Sequence, residues 1–351
     1  MPAMLCTCMN EPQMPAADGA VIEVRRAETS LANGDASFEK CLQLYWFGSG
    51  CHLIRLGELS ILTDPFVTNG LQLVNAQSDP QRVAATLGKI RPPDAILINH
   101  SHIDHLLDAY AALALPDWEQ ARVPLYGGPS TRNILAGWND PEVLARCHVV
   151  PERGGEVLSR KLSGGYQLQV MAYPSKHGRH LKCGHTFFDG RVTAPRATPP
   201  STLGDYQTGE VFNYLITLKH NSTTFRVFSL AAVADPDEFP ASIPSGGHQI
   251  DVMILCAPGA EHLDGYPGKQ LARLRPRHIV LSHFNTFLKE DPDRQLALGG
   301  IDFVKMNDLS RDVQASFALR MRKYPEFEKL HIPPITVMES FDRARNVITI
   351  R

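Results

Sequence analysis

Residues 96–109 read ILINHSHIDHLLDA, and the architecture of the chain follows from them. An apolar, strand-forming run, Ala95 to Asn99, leads directly into His100, His102, Asp104 and His105. Imidazole and carboxylate together suit zinc, iron or manganese. His100 and His102 are two residues apart, so at a strand end they can point the same way. Asp104 and His105 stand where a helix would begin, and LLDAYAALAL continues with helical spacing. A zinc ion needs three or four donors converging at about 2.0–2.2 Å, so this segment alone does not close a site. Further donors must come from other strand ends.

Two such ends are visible. VMAYPSKHGRH closes a strand and presents His177, and PRHIVLSHFNTF closes a later one with His283. In α/β proteins, loops at one end of the strands carry the functional groups. Upstream, LQLYWF, HLIRL and LSILTD are short apolar or alternating runs separated by glycines, the pattern of a β-meander. Downstream, VPLYGG, CHVVP, GYQLQVMAYP, VFNYLITLK, TFRVFSLAAV, QIDVMILCAP and RHIVLSHF read as further strands. Helical spacing is predicted for PSTRNILAGW, GYPGKQLARLR and SRDVQASFALRMRK. Strands alternating with helices predict an α/β architecture with helices outside the sheets. Residues 1–38 are expected to form a loosely attached arm, and 39–351 a single domain. A Pro/Gly/Thr-rich insertion at about 181–210 is long enough to be a lid or binding loop.

The bulk numbers narrow the function classes. The 351 residues are 43% hydrophobic and 21% charged, with a formal net charge of −2, so no global field draws the chain to nucleic acid or an anionic membrane. Neither a Lys/Arg block nor an aromatic-basic ladder is present, which argues against nucleic acid. A small-molecule substrate is the expected partner, and a homo-oligomer stays open. The seven cysteines lie at 6, 8, 41, 51, 147, 183 and 256, with no C-x-x-C pair and no disulfide spacing. Reduced thiols are expected, with Cys51 and Cys183 buried and inert. The first twenty residues lack a basic n-region and an apolar core, and no apolar run approaches the ~20 residues of a membrane span. The expected location is cytoplasmic. GGPSTRNIL offers backbone N–H groups at a helix start but lacks a P-loop lysine, so a Gly-Pro helix start is the expected reading.

HSHIDH matches H-x-H-x-D-H, and on it the chain resembles the metallo-β-lactamase superfamily of metallohydrolases. YWFGSGCHLIRLGELSILTDPF resembles that family's opening strands and its TDP turn, AYPSKHG its third motif, and RPRHIVLSHFNTF its last. In texture the chain is closest to the branch containing ascorbate-phosphate lactonase and N-acyl-phosphatidylethanolamine phospholipase D. The resemblance implies an αββα sandwich with metal at one edge between the sheets. It implies a first metal site of His100, His102 and His177, and a second drawing on Asp104, His105 and His283. It also implies that Asp64 orients a ligand from behind.

One element departs from the family pattern. A carboxylate that bridges both metals is expected at the end of TFRVFSLAAVADPDEFP, where this chain has Ala231 and Ala232. Asp235 and Asp237 follow, and Asp235 is a substitute candidate. The expectation is one tightly held zinc with a weak or empty second position; two zinc ions, or iron or manganese, are the alternatives. The expected activity is hydrolysis of an ester, lactone or phosphodiester, with Asp104 orienting or deprotonating water. His180 and His185 of the insertion are candidate proton donors or extra ligands, and otherwise exposed loop residues. The rival readings are an iron-dependent redox enzyme on the same fold and a non-catalytic metal-binding scaffold.

Overall fold

A computed structural model describes residues 22–27, 41–68, 76–178, 187–230, 232, 250–256, 270, 273–283, 335–337 and 345–350. In chain order the first strands are β1 (Ile22–Ala27), β2 (Leu42–Gly48), β3 (Cys51–Leu56), β4 (Leu59–Thr63), β5 (Ala95–Leu97), β6 (Leu125–Gly127) and β7 (Cys147–Val149). They are followed by β8 (Gly155–Lys161), β9 (Tyr166–Ser175), β10 (Val211–His220), β11 (Thr223–Ser229), β12 (Val252–Cys256), β13 (His278–Ser282), β14 (Ile335–Val337) and β15 (Arg345–Ile350). The helices are α1 (Pro80–Thr86), α2 (Ile103–Leu106), α3 (Ala109–Leu113), α4 (Pro116–Gln120), α5 (Pro129–Leu135) and α6 (Pro141–Arg146).

The strands form two mixed sheets. One has the order β1-β15-β2-β3-β4-β5-β6-β7 and the other β14-β13-β12-β11-β10-β9-β8. β2, β3 and β4 pair antiparallel, as the meander reading requires, and β4 through β7 run parallel. In the second sheet β8 to β11 are antiparallel and β11 to β14 parallel. β1 falls within the segment read as an arm, where it pairs antiparallel with β15.

Alternation along the strands explains the stacking. Leu42, Leu44 and Trp46 of β2, Ile54 and Leu56 of β3, and Ala95 and Leu97 of β5 share one buried cluster with Leu168, Val170, Phe212, Tyr214, Ile216 and Val227 of the second sheet. The intervening residues, Tyr45, Phe47, Leu53, Leu62 and Ile96, face the other way and pack with Val83, Leu113, Trp118, Ile134 and Val143 of the helices. A period of two thus sends one set to the sheet–sheet interface and the other to the helical layer. Leu215, Phe228, Met253, Leu255 and Ile279, outside the inter-sheet cluster, are also buried, so the second sheet is covered on both faces.

The structure divides one expected helix and adds strands that were not expected. The single helix expected from LLDAYAALAL is two, α2 and α3, interrupted at Asp108. That buried carboxylate accepts Val67 N at 2.6 Å, Thr68 N at 2.7 Å, Thr68 Oγ1 at 2.7 Å and Ser78 Oγ at 2.5 Å, so it holds the loop after β4. β8 was not expected: its sequence GEVLSRK is largely exposed along a sheet edge and carries little apolar signal. The helix expected in SRDVQASFALRMRK lies outside the described residues, as does most of GYPGKQLARLR. The PSTRNIL part of its counterpart forms α5.

Candidate metal centre

The end of β5 is pinned from both sheets before the histidines begin. Asp64, just past β4, donates its N–H to Leu97 O at 2.9 Å and accepts Asn99 N on Oδ1 at 2.7 Å. Asn99 donates Nδ2 to Phe212 O at 2.7 Å, Phe212 N returns a bond to Asn99 O at 2.8 Å, and Tyr214 Oη donates to Ile98 O at 2.9 Å. The chain then turns with His102 in extended conformation at the start of α2, where Ile103, Asp104, His105 and Leu106 are all buried. His177 follows β9 and His283 follows β13, so four strand ends meet here.

Two groups of donors result. His100, His102 and His177 form one, and Asp104, His105 and His283 the other; within each, the donor atoms lie within 4.8 Å of one another. The groups adjoin, with the rings of His100 and His105 3.8 Å apart between centroids. His100 Nε2 lies 3.1 Å from His102 Nδ1, and His102 Nε2 lies 2.9 Å from Thr208 Oγ1. His177 turns Nδ1 onto Gly178 O at 2.7 Å, which leaves Nε2 for its neighbours. In the second group, His105 Nδ1 meets Asp64 Oδ2 at 2.8 Å, while its Nε2 lies 2.9 Å from His283 Nε2. Asp104 Oδ2 lies 2.8 Å from His283 Nε2 and accepts Ser49 Oγ at 3.0 Å.

The electrostatics follow from burial set against these contacts. Burial pushes the His100 pKa well below its usual value, and the imidazoles of His105, His102 and His177 push the same way. Burial alone would raise Asp104, but His105 and His283 outweigh it and hold the carboxyl well below the usual range. For His105 burial acts downward, and Asp64 and Asp104 overcome it. Asp64 itself is raised by burial against the pull of His105.

This donor set fits a cation. With Asp64 accepting the Nδ1 proton of His105, the lone pair of His105 sits on Nε2, aimed at another imidazole nitrogen. His100 Nδ1 and His283 Nδ1 are buried without hydrogen-bond partners, so neither ring is oriented by the protein through that atom. Five imidazoles and one carboxylate converging, with no lysine or arginine among them, are what zinc, iron or manganese takes up.

Every histidine singled out for metal in the sequence is thus placed, together with Asp104 and Asp64. Asp235, His180, His185 and Cys183 lie outside the described residues, and Ala232 is buried. Cys51 sits in the apolar core, where burial raises its thiol pKa. At the start of α5, Ser130 N donates to Glu210 Oε2 at 2.9 Å, so a carboxylate occupies the helix start considered for phosphate. Among the described residues no helix is long and apolar enough to cross a membrane. Ser49, Asn99, Asp108 and Thr208 were not anticipated. The GSG of residues 48–50 carried a signal, a serine between two glycines, but Thr208 carried none.

Sequence comparison with known proteins gives the family. The profile of the Beta-lactamase superfamily domain matches residues 60–225. A "UPF0173 metal-dependent hydrolase" of Pyrobaculum calidifontis is 38% identical over 256 residues, which is 72% of this chain and 89% of the relative. Its counterpart in Pyrobaculum islandicum is 37% identical over 257 residues, with the same coverage of both chains. Among solved structures, a metallo hydrolase of the archaeon Ignicoccus hospitalis aligns with 88% of this chain and 98% of its own, at 14% identity and a TM-score of 0.46. On the identity and coverage of the two Pyrobaculum relatives, and with H-x-H-x-D-H leaving a strand end between two sheets, the chain belongs to the metallo-β-lactamase superfamily of metal-dependent hydrolases.

Proposed function

We propose that the chain hydrolyses an ester, lactone or phosphodiester bond of a small molecule with metal held by the two donor groups. The observation that carries this is the pair of adjoining three-donor clusters at one end of both sheets. His100, His102 and His177 would hold one ion, and Asp104, His105 and His283 form a second position. When bound, such an ion supplies Lewis acidity, which polarises a carbonyl or phosphoryl group and acidifies water. Three imidazoles are a sufficient protein ligand set for catalytic zinc, as are two imidazoles with a carboxylate, so the weakness of the second position rests on uncompensated repulsion between adjacent ions rather than on its ligand count. Ala231 and Ala232 stand where the family pattern has a bridging carboxylate, and alanine offers no donor. The reading is therefore one tightly held zinc and a weaker second position.

Asp104 has a defined part in this scheme. A carboxyl held well below its usual range stays ionised, so it orients water by accepting a hydrogen bond rather than by storing a proton. Asp64 keeps His105 in the tautomer that presents Nε2.

Elemental analysis of protein purified without added metal, beside the His102→Ala and Asp235→Ala variants, tests the reading. About one zinc per chain is expected, lost in His102→Ala and kept in Asp235→Ala. Activity on aryl ester, lactone and bis-aryl phosphate substrates should fall with it. Two ions in wild type falling to one in Asp235→Ala would refute the single-ion reading. Metal retained with no turnover on any of the three substrate classes would refute the hydrolase reading.

A further inference from the structure

The β2–β3 hairpin closes on two residues, Ser49 and Gly50, with Gly48 opposite Cys51. Its backbone presents a puzzle. Ser49 has φ +45°, in the left-handed region, whereas Gly50 is not among the glycines with positive φ. A two-residue hairpin whose first central residue alone has positive φ favours glycine at that first position. Here the order is reversed: serine occupies the residue that needs conformational freedom, and glycine the residue that does not.

Contacts account for both choices. A Cβ added to Gly50 would lie 2.6 Å from Asp64 Oδ2 and 3.0 Å from His105 Nδ1, so a side chain there would disturb the Asp64–His105 pair. Ser49 is fully buried, and its Oγ lies 3.0 Å from Asp104 Oδ2 and 3.2 Å from His283 Nε2. The turn is clamped in place through the Ser49 carbonyl, which accepts Trp46 Nε1 at 2.9 Å and Ser282 Oγ at 3.0 Å. A non-glycine residue in this conformation costs about 1 kcal/mol or more, and such strain persists only where surrounding contacts enforce it.

We propose that Ser49 is a positioning residue of the Asp104–His105–His283 cluster. Its hydroxyl donates to Asp104 Oδ2 and helps fix the carboxylate rotamer; glycine would relax the turn but remove that bond, leaving the carboxylate held only by its histidine neighbours. The inference rests on the metal-centre reading and assigns to the second position a support that the H-x-H-x-D-H signature does not contain.

Zinc affinity at this position, measured by competition with a chelating dye in full-length protein, separates the alternatives when combined with thermal melting. Asp104→Asn identifies which zinc equivalent belongs to the cluster. Ser49→Gly removes both the strain and the hydroxyl: the melting temperature should hold or rise, while zinc affinity falls about 10–100-fold, the usual cost of losing an outer hydrogen-bond partner of a ligand. Ser49→Thr keeps the hydroxyl and adds a β-branch in a left-handed turn: the melting temperature should fall, with zinc affinity within about threefold of wild type. A purely structural serine would make affinity follow stability in both variants. If Ser49→Gly binds this zinc as tightly as wild type, the inference is overturned, whether or not Ser49→Thr folds. If wild type itself takes no ion that Asp104→Asn removes, the reading of the second position falls and the inference falls with it.

Discussion

Replacing Asp64 by asparagine changes one oxygen for one nitrogen, and the surroundings leave the amide no good orientation. Asp64 Oδ1 accepts Asn99 N at 2.7 Å and Oδ2 faces His105 Nδ1 at 2.8 Å, with both side chains of the Asp64–His105 pair 1% exposed. Water therefore cannot replace either bond. If the new carbonyl faces Asn99, the amide N–H₂ faces His105 Nδ1 and draws the imidazole proton to Nε2, removing the lone pair aimed into the cluster. If the carbonyl faces His105, Asn99 N–H points at an N–H₂ group, and a buried donor goes unsatisfied at about 1–3 kcal/mol. The first outcome appears as zinc binding weakened about 10–100-fold, equivalent to roughly 1.4–2.7 kcal/mol. The second appears as a melting temperature lower by about 2–4 °C. Chelator competition and melting of the same preparation measure both, and the loss must appear in at least one. Asp64→Asn protein indistinguishable from wild type in zinc affinity and melting temperature would refute the assignment of Asp64 as the group that sets the His105 tautomer.

Thr208→Val removes the acceptor for His102 Nε2 while keeping the shape, so zinc at the three-imidazole position should weaken about tenfold, and Thr208→Ser should restore it. Equal affinities in all three proteins would dismiss the contact as incidental. Gly50→Ala should leave secondary structure intact but weaken zinc at the Asp104 cluster at least about tenfold, because its Cβ collides with the Asp64–His105 pair; dye competition beside circular dichroism reads both effects. Burial, the largest influence on His52, holds its pKa down to about 4 from an ordinary 6.5. The folded state therefore binds fewer protons than the unfolded one. Its contribution is complete above pH 6.5 and is lost as pH falls toward 4, by roughly 3 kcal/mol in all. In metal-free protein, His52→Gln should flatten the fall in melting temperature between pH 7 and 4.5, and an unchanged slope would contradict the assignment.

What the sequence made legible follows from what short-range pattern encodes. The short, predominantly apolar runs LQLYWF and HLIRL report strands with little solvent-facing surface, and β2 and β3 are buried almost throughout. His100, His102, Asp104 and His105 are legible because one strand end carries them all. His177 and His283 are legible because each follows an apolar run long enough to be a strand. β8 escaped because an exposed edge strand has no apolar signature to read. β15 escaped for a different reason: its place between β1 and β2 is fixed by pairing with Leu42–Tyr45, some three hundred residues away along the chain.

The supports of the metal centre were hidden by the same distance problem, and their arrangement carries a consequence. Ser49 meets His283 across 234 residues and Thr208 meets His102 across 106, yet serine and threonine in loops ordinarily serve as turn formers. Once placed, they divide cleanly between the two donor groups. Thr208 stands behind His102 alone, while Asp64 and Ser49 stand behind His105 and Asp104. On the proposed reading, in which alanines stand where the family pattern has a shared carboxylate, each donor group is oriented by its own hydrogen bonds. On the metal-centre reading each support should therefore act on its own position: Thr208→Val should spare the Asp104 cluster, and Ser49→Gly should spare the three imidazoles. A single substitution that weakened both positions equally would instead require a shared ligand, and Asp235 would be the first residue to test for it.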